Sequence, residues 1–193
     1  MRRLFALLAV VGLLSACAGG ADLKDPPVPL GNFKLGHNIV VAPKVQKVPL
    51  SREATEKELT ESLRTAIASR FDRYDGDRLY HFGVSIEAYN LAPPGIPVLL
   101  APKSAMSVKI TVWDDARGEK LNTAPKDITV LETFGSGVLV GSGYTMTAEE
   151  QLKNLSENVS KAIERFLVEQ NEEQRWFENP SDQDAAAQPI VTE

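Results

Sequence analysis

Two apolar stripes at helical spacing constrain this chain more than any other feature. Leu59, Leu63, Ala66, Ile67, Phe71 and Tyr74 share one side of a helix predicted over 51–74. Leu152, Leu155, Val159, Ala162, Ile163, Phe166 and Leu167 do the same over 148–170. Each stripe needs an apolar surface to cover it, and both are read as core rather than as binding faces. Thr147-Ala148-Glu149-Glu150 has the spacing of a capping box and opens the second helix. The first helix starts either at Ser51 or one turn later, at the Thr55…Glu58 box. Arg70 falls on the edge of its stripe, where the stem can pack while the head stays in water.

The covering surface comes from segments of period two. Phe33, Leu35, His37, Ile39 and Val41 alternate in a first strand that Pro43 ends. Tyr80, Phe82, Val84, Ile86 and Ala88 define one face of a long second strand, with His81, Ser85 and Glu87 on the other. Met106, Val108, Ile110 and Val112 alternate in a third, Asp114–Gly118 reads as a hairpin connection, and a fourth strand follows near 126–134 as an antiparallel neighbour. The order β-α-β-β-β-α predicts an α+β fold: a two-layer sandwich with both helices on one face of a mixed, mainly antiparallel sheet.

Chemistry-bearing residues are sparse. His37 and His81 are the only histidines, without metal-ligand spacing, so no metal and no cofactor are expected. His37 is read as a strand histidine holding one hydrogen bond rather than as a ligand or acid–base group. Ser136 and Ser142 lie in Gly-Ser-Gly units instead of a nucleophile elbow. A hydrolase using them with His37 or His81 is therefore disfavoured, and no catalytic residue is assigned. The glycines of 135–143 do not match a dinucleotide or phosphate loop. They read as hinges around Val138, Leu139 and Val140. The 93–102 stretch combines prolines, which exclude helix and central strand, with Ile96, Val98, Leu99 and Leu100. Those four residues and Val138–Val140 are the candidate contacts for a partner or lipid. Alternatively, the 93–102 loop folds back over the open end of the core. A net charge of −5 argues against a nucleic-acid partner.

The N-terminus resembles a bacterial lipoprotein signal. Arg2-Arg3 precedes the apolar run Leu4–Leu14, and Leu14-Ser15-Ala16-Cys17 matches the lipobox. A run this short rises about 16 Å as a helix, against about 30 Å of bilayer hydrocarbon, so it is not expected to span. The resemblance implies cleavage after residue 16, acyl chains on Cys17 and membrane attachment through them. Cys17 is the only cysteine, which leaves the mature domain without a disulfide. Ala18 stands where an aspartate often retains such proteins at the inner membrane. The expected location is therefore the periplasmic face of the outer membrane, with the inner membrane as the alternative. Residues 17–32 read as a flexible tether, 33–170 as the domain, and 171–193 as an acidic disordered tail in which Trp176-Phe177 either pins the helix end or forms a docking motif.

Together the lipobox, the extended Ile39-Val40-Val41-Ala42-Pro43 and the element order resemble small proteobacterial lipoproteins of the ABC-type transport auxiliary and lipopolysaccharide-assembly kind. The resemblance implies a non-enzymatic interaction module that assists envelope lipid transport or complex assembly. The alternative is a structural or adaptor lipoprotein without lipid handling.

Overall fold

The computed structural model describes residues 20–93, 103–132 and 146–178. Its elements are β1 (Lys34–Val41), β2 (Gln46–Lys47), α1 (Glu56–Phe71), β3 (Leu79–Asn90), β4 (Ala105–Asp114), β5 (Glu119–Lys120), β6 (Lys126–Leu131) and α2 (Ala148–Gln174). A short 3-10 turn over Ala21–Lys24 precedes them. β1 and β2 pair parallel with β3, while β3–β4, β4–β5 and β4–β6 are antiparallel. The α+β two-layer arrangement expected from the sequence is the fold observed.

Both helices start at capping boxes. Thr55 caps α1 with Glu58, and Thr147 caps α2 with Glu150, so each helix has its first orphan N–H groups satisfied by side chains. Ser51 is not the cap of α1; its hydroxyl accepts from Leu91 N–H at 2.8 Å. The helices run side by side in the same direction, as Ser62 meets Ser156 at 2.9 Å and Arg70 meets Ser160 at 3.2 Å. Their stripes bury Leu59, Leu63, Ile67, Leu155, Val159 and Ile163 against Phe82, Val84, Ile86, Val108, Ile110 and Val112. The other sheet face carries Ser107, Thr129, Lys109 and Gly83, and a Cβ at Gly83 would meet nothing within 4 Å.

Two bulges correct the predicted strand faces. In β1 the register slips between Leu35 and Asn38. One extra residue there reverses every later side chain, so Ile39 and Val41 are exposed, at 58% and 44%, while Ala42 is buried and Val40 packs on the core. In β3 the register shifts between Ile86 and Ala88, which turns Tyr89 inward in place of Ala88.

The boundaries differ as well. Within 20–32, read as part of a flexible tether, Leu30 is buried and Asp22 is held by Arg70, while Val28 stays exposed. The helix expected to end at 170 continues to Gln174 and closes at Arg175, which is left-handed at φ 55°. Trp176 and Phe177 pin that end to the body. The Phe177 ring lies 5.1 Å from Phe33 and 4.8 Å from Tyr80, edge-on to both.

Candidate functional site

Arg70 is the largest fully buried side chain among the described residues, at 1% exposure. Its head is not in water, as the stripe position suggested, because the 3-10 turn brings Asp22 over it. The guanidinium holds Asp22 through both forks, at 3.0 and 3.1 Å, and donates to Glu164 at 2.8 Å and to Ser160 at 3.2 Å. Tyr74 Oη donates to the second Glu164 oxygen at 2.8 Å. Lys161 approaches Asp22 at 3.1 Å, and Arg73 donates to the carbonyls of Leu23 and Asp25. Burial of this kind is expensive unless every charge is answered, and here both carboxylates are.

The electrostatics follow from that packing. Burial alone would raise the Asp22 carboxyl, but hydrogen bonds from Arg70 and Lys161 outweigh it and hold the group below its ordinary value. Burial likewise opposes the charge on Arg70, yet Asp22 and Glu164 keep its guanidinium more firmly protonated. Burial, then the bond to Glu164, pushes the Tyr74 phenol well above its usual range.

Above this clamp the paired helices leave a groove of about 580 Å³. Leu23, Ala54, Ala66, Leu91 and Leu152 supply its apolar lining, and Glu53, Glu58, Glu61, Glu149 and Glu157 supply carboxylates against the single ammonium of Lys153. The volume is that of a small-ligand site. Its lining suits an apolar group with a cationic end.

A second cluster lies at the β1 bulge. His37 N–H donates to His81 Nδ1 at 2.8 Å, and the two rings sit 4.7 Å apart. Because Nδ1 accepts, the His81 proton is on Nε2, which faces Asp115 Oδ1 at 2.9 Å. In that tautomer the Nε2 N–H donates to Asp115 and leaves no in-plane lone pair on Nε2, so the ring holds the bulge rather than ligating through that nitrogen. Among the described residues no group of three His, Cys, Asp or Glu side chains could hold a metal.

Cys17, Ile96, Val98, Leu99, Leu100, Val138, Leu139 and Val140 lie outside the described residues, as do Ser136 and Ser142. His37 and His81, treated separately in the sequence, are brought together. The Asp22–Arg70–Glu164 cluster and the groove were not foreseen. The available signals were one arginine beside an apolar stripe and one glutamate between Ile163 and Phe166 on another.

No protein-family model matches the chain, and no curated protein matches it. Three solved structures are similar in outline. A Xanthomonas campestris protein of the family DUF330 is 12% identical, with 77% of this chain and 94% of that one covered, at a TM-score of 0.46. A Caulobacter crescentus protein described as a candidate lipoprotein is 13% identical, covering 65% and 88%, at 0.32. A minor lipoprotein from Acinetobacter baumannii is 11% identical, covering 67% and 93%, at 0.28. Likenesses this distant carry no argument about what the chain does.

Proposed function

We propose that this chain is a lipid-anchored bacterial envelope protein, acylated on Cys17, that assists lipid transport or the assembly of an envelope complex without an enzymatic step of its own. The observation that carries the reading is Leu14-Ser15-Ala16-Cys17 behind a short apolar run, with Cys17 the only cysteine in the chain. At about 0.8 kcal/mol per buried CH₂, two or three acyl chains make a lasting anchor where one does not. Ala18 supports placement on the periplasmic face of the outer membrane. The groove between α1 and α2 supports a binding role, since its apolar lining and acidic side chains fit the ammonium end of a lipid.

The adaptor reading draws on the same groove. Five glutamates against one lysine also suit a basic segment of a protein partner. Fractionation of a Gram-negative host expressing the full chain beside Cys17→Ala tests the anchor. Acyl mass on the wild type and membrane partition lost in the variant are expected; two soluble, unmodified forms would refute the proposal. Lipid extracted from the wild type and from Ser69→Trp, which fills the groove from an exposed position, separates the two roles. Loss of bound lipid in the variant supports lipid handling, and no lipid in either form supports the adaptor.

A further inference from the structure

Resting on the anchor reading, we infer that the Asp22 clamp holds the α1–α2 face of the domain against the phospholipid headgroup layer, with the open sheet face turned away from it. The argument begins with chain length. Three peptide steps separate Cys17 from Gly20, a reach of about 11 Å at full extension. Gly20 lies directly on α2, where an added Cβ would come within 2.9 Å of the Glu157 carboxyl carbon. Asp22, two residues further, is gripped by buried Arg70 and by Lys161, and Arg73 binds the carbonyls of Leu23 and Asp25. The chain therefore leaves the domain from the outer surface of the helix pair, at a point fixed by charged hydrogen bonds.

An anchor this short cannot reach around the molecule. The open sheet face lies beyond a helix layer and a sheet, on the order of 20 Å away. The exit surface carries both signs of charge. Lys153, Glu157, Lys161 and Arg165 follow one another at four-residue spacing, so they line one row of α2 beside Gly20. Lys153 and Arg165 can face lipid phosphates, Lys161 is paired with Asp22, and the five glutamates of the adjoining groove can face only the ammonium ends of the same headgroups. The groove, with Leu23 in its lining, then opens toward the bilayer instead of toward bulk water. The exposed face left for an envelope partner is the sheet, with Ile39, Val41 and Leu131 at its two sides.

Depth-dependent quenching tests this on the full-length lipidated chain. Cys17 is the only native cysteine, and once it is a thioether a fluorophore couples only to an added one. Thr65→Cys reports the helix face and Thr129→Cys the sheet face. Each is placed in vesicles of phosphatidylethanolamine and phosphatidylglycerol containing a headgroup-nitroxide lipid, after acyl mass has been measured on the same preparation. Quenching several-fold stronger at Thr65 than at Thr129, with the contrast falling toward unity in Asp22→Asn, is the expected result. An acylated protein quenched equally at both positions, or more at Thr129, overturns the orientation and leaves the anchor standing. A contrast that persists unchanged in Asp22→Asn overturns the role of the clamp. A preparation without acyl mass overturns the anchor reading and this inference with it.

Discussion

Arg70 shows how a single residue ties two parts of the chain together. A guanidinium at 1% exposure is tolerable only because Asp22, Glu164 and Ser160 answer its donors. The Asp22 carboxylate makes the stability of this cluster depend on pH. Its carboxyl is held below its ordinary 3.8. A carboxyl depressed in the folded state adds stability above the unfolded value, and that contribution disappears as pH falls through the folded value. In urea unfolding between pH 2 and 7, the wild type should therefore exceed Asp22→Asn by a constant margin above about pH 4, with the two curves converging below it. A margin that grows on acidification would contradict the assignment.

At the scale of elements, the β1 bulge and its histidine pair form one unit. Gly36 lies so close to the His81 ring that any Cβ there would collide with it. Gly36→Ala is expected to cost about 1–3 kcal/mol, as overpacking does. Most of that cost should vanish in a His81→Ala background, because the obstructing ring is gone. Urea midpoints of the two single variants and the double variant measure the coupling. Additive effects would mean that the glycine serves the strand for another reason. The helices were plain in the sequence because their stripes and capping boxes are local. The bulges were not, because a register slip is decided by how β1 and β3 pair across a sequence separation of 44.

Across the whole molecule, the two ends of the described chain close on each other. Asn32 N–H donates to Phe177 C=O at 2.8 Å, and the Phe177 ring meets Phe33 and Tyr80. Gly31, at φ 80°, lets the backbone pass beside that carbonyl, where a Cβ would stand at 2.9 Å. Phe177→Ala should destabilise the domain by about 3–5 kcal/mol, as truncating a core aromatic does, even though the residue follows the last helix. A thermal unfolding midpoint unchanged from wild type would show that the C-terminal segment is peripheral. The same closure explains why the segment before β1 is not free: both flanks of the domain are held by side chains far away in sequence.

What the amino-acid order determined by itself is everything that repeats or caps over a few residues. The two amphipathic helices, their boxes at Thr55 and Thr147, the alternating strands and the resulting α+β layering all follow from local periodicity. The tertiary structure decided what depends on distant groups meeting. Arg70 became buried only because Asp22 arrives from before β1, and His37 found His81 only through a register slip. The place of Gly20 beside Glu157 belongs to the same class. A pattern read along the chain carries no record of which charge will lie opposite which, since that is settled when the layers pack.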